Sequence, residues 1–334
     1  MEYIKKRKWA FDSLKGISCI IIILFHCPIP GLLGEAIIYA LRFPVPIFFM
    51  ITGYFSYFKD EKWLKRKFIS MFKIIIISEI LYGFAQIVVN CTLKGETIKR
   101  YLSTVEGVQY PLRTIVTGTF FNGTLWYLYA AFWTYLILIL ISKINRDNKF
   151  NIFFITVLLL FQIAGRYYYQ NHYDIDNNIF IFRNAITFGL PLTLIGRILA
   201  KHERVIKGHI NTDKACLMIL FGLGLIIVEY IFSHQYMDFH FSSAIISIGL
   251  FILAMVYTGK PNRILKGFSF VGKQLSTLIY LSHYMFILII NYLADKYHLG
   301  SSPICNWIKP ICVCSLSCLT AYIYVLIKNK YRRV

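Results

Sequence analysis

Apolar residues in this chain fall into long blocks rather than into one face of a repeating pattern. Ten blocks of 16 to 25 residues stand out: Phe11–Cys27, Ala36–Phe58, Phe68–Asn90, Gly123–Ser142, Phe150–Gly165, Asn184–Ala200, Lys214–Phe232, His240–Thr258, Leu275–Ala294 and Pro303–Ile327. A helix rises about 1.5 Å per residue, so blocks of this length match a hydrocarbon core about 30 Å thick. The pattern therefore predicts an all-α fold, a polytopic bundle of about ten transmembrane helices. Nothing resembling a Gly/Ser linker or an internal repeat interrupts it, so residues 1–334 read as a single membrane domain.

Charge fixes the expected orientation. Of the 36 Lys and Arg, 24 fall at the N-terminus, in 59–67, 143–149, 201–214 and 259–274, and in the C-terminal tail. Eight are counted on the opposite side, among them Arg42 within the second block, and four more, Lys15, Lys73, Arg197 and Lys309, lie inside the blocks. Cytoplasmic loops carry the excess of basic residues. Both termini are accordingly expected in the cytoplasm, in a multi-pass protein of the cell membrane, most simply the bacterial cytoplasmic membrane. Lys5-Lys6-Arg7-Lys8 precedes the first block without a small-residue cleavage site after it, so that block is expected to stay as an anchor.

Composition sharpens this picture. Apolar residues make up 57% of the chain and charged ones only 16%, well below a soluble domain. A formal charge of +20 would suggest a nucleic-acid partner in a soluble protein. Here the basic residues sit in short runs between apolar blocks, which excludes that partner and points to membrane lipid. The eight Cys lie almost entirely inside apolar segments without zinc-like pairing and read as small packing residues. No metal is implied. The longest outer connection, 91–122, is predicted to hold a short surface helix over Thr97–Thr104, then a stretch with Pro111 and Gly118. The connection Arg166–Arg183 is rich in Tyr, Asn, Asp and His, a mixture that suits either a sugar surface or an interfacial aromatic belt.

Ionisable groups inside the blocks are costly and mark candidates for function. Lys73 and Arg197 sit near cytoplasmic ends, where a long stem can snorkel; for Arg197, anion binding is the other reading. Lys309 and Glu229 read as interfacial. Glu79 falls too deep for a short carboxylate to reach water, which requires protonation or a paired cation and leaves structural and proton-handling roles open. On the first helix, Lys15 and His26 are eleven residues apart. That places them about 16 Å apart along the axis and, at 100° per residue, on one face. A cation at one end and an imidazole at the other suit anion binding and proton transfer. His283, in Tyr280-Leu281-Ser282-His283-Tyr284, is a second histidine in mid-block.

These residues also carry a family resemblance. Asp12, Leu14-Lys15-Gly16-Ile17 and His26 follow the first-helix pattern of the integral-membrane acyltransferase 3 family, which O-acetylates cell-surface polysaccharides and related molecules. Further along, Pro46-Ile47-Phe48-Phe49 with Thr52-Gly53-Tyr54, Leu125-Trp126-Tyr127-Leu128, Arg183-Asn184 with Gly189-Leu190-Pro191, and Gly272-Lys273 with Tyr280-Leu281-Ser282-His283 resemble its later motifs, in the same order. The resemblance implies a cytoplasmic acetyl-CoA donor substrate without any other cofactor. It also implies a hydroxyl acceptor on a surface glycan or lipid-linked sugar, and an essential histidine at the position of His26. Lys15 stands where the family commonly has Arg, so a planar fork becomes a point charge. On this reading Lys15, with Arg197 and Lys273, holds the CoA phosphates. His26 is general base or transient acyl carrier, and His283, Glu79, Asn122 or Trp126 orients it or stabilises the oxyanion, with Arg183 and Asn184 on the acceptor side. A proton-coupled transporter or flippase and a glycan polymerase or ligase are competing readings, since intramembrane Glu and His also mark transport paths.

Overall fold

The computed structural model describes residues 8–93, 95–142, 148–172, 179–233, 239–300 and 302–331. Among them every regular element is helical. In chain order these are α1 (Trp9–His26), α2 (Leu32–Ala40), α3 (Pro44–Ser56), α4 (Glu61–Val88), α5 (Ile98–Thr104), α6 (Glu106–Gln109), α7 (Pro111–Thr117), α8 (Trp126–Ser142), α9 (Asn148–Leu160), α10 (Arg166–His172), α11 (Leu190–Lys201), α12 (Glu203–His209), α13 (Thr212–Ser233), α14 (Phe241–Val256), α15 (Arg263–Phe270), α16 (Ser276–Lys296) and α17 (Pro303–Tyr331). Four π-helical turns, Val89–Leu93, Phe161–Gly165, Ala185–Gly189 and Val271–Leu275, sit at helix ends or join consecutive helices.

Eight described helices are long and apolar enough to cross a membrane, which makes this a multi-pass membrane protein. The other two predicted spans are shorter: α14 has 16 residues, and Asn184–Ala200 is the π-turn Ala185–Gly189 followed by α11. Side chains agree with a lipid setting. Ile77, Ile80 and Phe84 on α4 are 58%, 65% and 69% exposed, and Leu217, Leu220 and Phe221 on α13 exceed 60%. Such stripes are untenable in water and ordinary against acyl chains.

Two boundaries move relative to the hydropathy pattern, each for a capping reason. Asp60 accepts the Trp63 backbone N–H and starts α4 at Glu61, so the basic residues at 62–67 lie in its first turns. Asn262 does the same for Leu265 and starts the long helix Arg263–Lys296, which places Lys266 and Lys273 on helix rather than loop. The second span is broken. Residues 41–43 separate α2 from α3 because Pro44 has no N–H and disfavours helical geometry in the residue before it. In 91–122 the predicted surface helix is α5, whose N-terminus Thr97 caps by accepting from Arg100 N. The basic run at Lys5–Arg7, residues 143–147 and residues 173–178 of the Tyr/Asn-rich connection lie outside the described residues.

The chain divides into two compact units, Phe49–Glu203 and a second made of Ile4–Phe48 with Arg204–Val334. In the first, α4 packs on α8, α8 on the π-turn Ala185–Gly189, and α9 on α11. Its core includes Leu64, Tyr135, Leu138, Ile155, Leu190 and Leu194. In the second, α1 is the central element and meets α2, α14, α15, α16 and α17. Cys19, Ile23 and Cys27 of α1 join Leu275, Ile279, Ile287, Val313 and Ala321 in that core. All eight cysteines are free, and Cys19 and Cys27 pack as small apolar groups, although Cys216 is exposed.

Candidate active site

The centre of the second unit is a backbone-to-backbone crossing. A Cβ on Gly16 would lie 2.1 Å from Phe268 O, and one on Gly272 would lie 1.8 Å from Asp12 O and 2.7 Å from Gly16 N. Only glycine permits α1 to approach the α15–π-turn segment this closely, which is the small-residue packing common between membrane helices. Lys15 and Lys273 each adjoin one of these glycines in sequence. Two of the three residues expected to hold the donor phosphates thus flank the crossing in sequence. Lys15 is partly buried and Lys273 exposed. Ser13 reinforces the contact by donating to Leu265 O at 2.8 Å.

From Lys15, α1 runs unbroken to His26, so the expected separation of about 16 Å on one face holds. His26 is the last residue of α1 and is exposed. Its ring lies 5.3 Å from the ring of His283 and 6.3 Å from that of Tyr284, both on α16. His283 is fully buried, with Nδ1 2.7 Å from Tyr280 O and 3.3 Å from Ile279 O. A carbonyl only accepts, so Nδ1 carries the proton and Nε2 presents a lone pair. That Nε2 is buried without a hydrogen-bond partner. One imidazole is therefore held in a fixed tautomer beside a second, exposed one. Nearby in sequence, Arg42 lies in the break between α2 and α3, with its guanidinium 5.0 Å from the ring of Phe25. Pro44 and Pro46 were the signal that the apolar run breaks there and turns Arg42 inward.

The remaining candidates lie in the first unit. Glu79 accepts from Tyr129 OH at 2.9 Å and from Phe121 N at 3.3 Å. Its partners are thus a phenol and a backbone N–H, which clamp the segment ending at Phe121 onto α4. Asn122 follows immediately. It is buried and caps the 3-10 turn Gly123–Leu125 by accepting from Thr124 N, while its Nδ2 has no partner. Trp126 opens α8, meets Phe188 edge-on at 5.5 Å, and lies 5.8 Å from the Arg183 guanidinium. Asn184 caps the π-turn Ala185–Gly189. Its Oδ1 accepts from Ile186 N and Thr187 N, and its Nδ2 donates to Phe180 O and Ile181 O. Arg197 reaches Ser56 Oγ at 3.4 Å and stands over the ring of Tyr57, across another glycine crossing made by Gly53 and Gly196. Next to it, Tyr54 OH donates to Glu203 at 2.8 Å. Lys73 is exposed on α4, as a snorkelling lysine would be. Glu229 does not simply face the interface: it accepts from Ser242 N and Ser242 Oγ and so caps α14.

Among the described residues no group of three His, Cys, Asp or Glu is placed to hold a metal. In the second unit the candidate groups are two imidazoles and two lysines whose neighbours in sequence form the helix crossing.

Neither the curated proteins nor the solved structures compared with this chain give a match. A family model described as an acyltransferase domain matches residues 8–326, nearly the whole chain, and includes every candidate residue above. The chain therefore belongs to the acyltransferase 3 family and is a multi-pass membrane acyltransferase.

Proposed function

We propose that the protein is an O-acetyltransferase that moves an acetyl group from cytoplasmic acetyl-CoA to a hydroxyl of a cell-surface glycan or lipid-linked sugar. The observation that carries this reading is the continuous α1 helix. It has a lysine beside the Gly16/Gly272 crossing at one end, and at the other a histidine whose ring is 5.3 Å from His283. The charge pattern assigns the Lys15 end to the cytoplasm and the His26 end to the outer side. The span between them, about 16 Å, is comparable to an extended pantetheine arm.

Lys15 and Lys273 bind CoA phosphate, and the thioester is delivered towards His26. An imidazole nitrogen of His26 takes the proton of the acceptor hydroxyl as its oxygen attacks the thioester carbonyl. The C–S bond breaks, the acetyl ester forms, and the proton passes to the departing CoA thiolate. His283, fixed by Tyr280 O, positions His26. Exposure of the His26 ring leaves room for the acceptor. In the first unit, Glu79 holds the segment that leads into Asn122 and Trp126.

The test is turnover of acetyl-CoA by the purified full chain in detergent or nanodiscs. Slow CoA release without acceptor, accelerated by a glycan acceptor, is the expected result. A protein that ignores acetyl-CoA while moving a lipid-linked sugar across a vesicle membrane would instead be a flippase.

A further inference from the structure

Two cations stand close to the exposed imidazole of His26, and the transfer chemistry above uses neither. Phe25 and Cys27 flank His26 in the chain. The Arg42 guanidinium lies over the Phe25 ring, 5.0 Å from its centroid. Lys309 is within electrostatic reach of the Cys27 thiol. All of these residues belong to the second unit, where α2, which leads into Arg42, and α17, which carries Lys309, both pack on α1. Arg42 and Lys309 are half-buried and His26 is exposed, so the group forms an open surface at the end of α1. Carboxylates at this end of the unit are placed differently. Glu229 is held by Ser242 at the start of α14, while Glu35 and Asp295 are exposed. Solvent screens exposed charges, whereas half-buried cations keep more of their field.

We infer that the acceptor is a sugar carried on a lipid phosphate or diphosphate, with Arg42 binding that phosphate and Lys309 adding to the field around it. The inference rests on the acyl-transfer reading and specifies its acceptor. Depth argues for the lipid linkage. Arg42 lies within the second apolar block, and Lys309 is the seventh residue of α17, about 9 Å along the axis from its first residue. Cations at such depth are costly unless they are paired, wet or met by an anion at headgroup level. A finished polysaccharide presents its anions beyond the membrane surface. A lipid phosphate sits at headgroup level, one sugar ring away from the hydroxyls that His26 would deprotonate. The guanidinium suits this ligand: lying over Phe25 engages its flat face and directs its N–H donors in the plane, the geometry of bidentate phosphate binding.

The experiment uses the purified full chain in nanodiscs of phosphatidylcholine, with acetyl-CoA and matched acceptors. Glucose, galactose and N-acetylglucosamine are each supplied as the neutral octyl glycoside and as the glycosyl octyl phosphodiester, with acetylated product read by mass spectrometry. Wild type should prefer the phosphodiester by about tenfold or more in kcat/KM. Arg42→Gln should lower kcat/KM for the phosphodiester about tenfold to a hundredfold, the range for one lost hydrogen bond to a charged group, and bring the two members nearly level. Lys309→Gln should have a smaller effect of the same sign, and Arg42→Lys, a point charge, should keep part of the preference. Equal losses toward both members would make Arg42 structural and overturn the inference. So would a wild type without preference, or no acetylated product from a preparation that releases CoA. A third contrary result is an Arg42→Gln that keeps the preference and changes only thermal stability between phosphatidylcholine and phosphatidylglycerol discs, the mark of a cation that anchors ordinary phospholipid. Where Arg42→Gln yields no folded protein, the wild-type preference and Lys309→Gln decide. Absence of CoA release itself would instead refute the transfer reading.

Discussion

Replacing Gly272 by Ala should damage the protein at its donor site more than anywhere else. The new Cβ would lie 1.8 Å from Asp12 O and 2.7 Å from Gly16 N, both backbone atoms that no rotamer change can move aside. Ordinary contact needs about 3.4 Å, so the segment around Lys273 must retreat from α1 by roughly 1.5 Å. Overpacking of this kind costs about 1–3 kcal/mol. The displacement also moves the backbone beside Lys273 away from that beside Lys15. If both bind CoA phosphate, loss of one charge-assisted contact of about 1.5–3 kcal/mol raises the KM for acetyl-CoA roughly tenfold to a hundredfold. The assay is paired: thermal unfolding of purified Gly272→Ala in detergent, and KM for acetyl-CoA measured by CoA release. Gly224→Ala is the control, because a Cβ there meets nothing within 4 Å and the change should be neutral or slightly stabilising. Wild-type stability together with an unchanged KM in Gly272→Ala would refute both the close crossing and its link to donor binding.

Other predictions address single residues. Lys15→Ala should raise the KM for acetyl-CoA about tenfold or more while sparing kcat, and Lys15→Arg should restore part of the loss; an unaltered KM removes Lys15 from the donor site. Glu79→Gln retains one acceptor for Tyr129 or Phe121, so it should fold, lose about 1 kcal/mol of stability and change kcat less than tenfold; a larger fall in kcat with intact folding would make Glu79 a proton-handling group. Single Cys probes at Ser103 and Asn211 on a Cys-free background should label with an impermeant reagent from outside and only after permeabilisation, respectively, and a reversal at either site would break the proposed orientation.

Features set by local physics were legible in the sequence. Apolar block length follows from helix rise and bilayer thickness, and the Lys15–His26 relation follows from helix rise and pitch alone. Thr97 announced α5 because an N-cap is a local event. Features that depend on distant partners were not. Glu79 lies 42 and 50 residues from its partners Phe121 and Tyr129, so its environment could be narrowed to protonated or paired but not identified. The pairing of His26 with His283 spans the whole second unit and had no local signal. That Asn184 caps a π-turn could not be read from its motif, because periodicity does not reveal that form. The break at 41–43 was signalled by two prolines, but the continuous apolar run concealed it.

The central claim is that His26 performs the proton transfer for acyl transfer. Its most direct test is steady-state kinetics of His26→Ala against wild type, purified at equal folded yield, with acetyl-CoA and a saccharide acceptor. The account predicts a kcat lowered about 10²- to 10⁴-fold with the KM for acetyl-CoA nearly unchanged. Wild-type kcat in folded His26→Ala would contradict it.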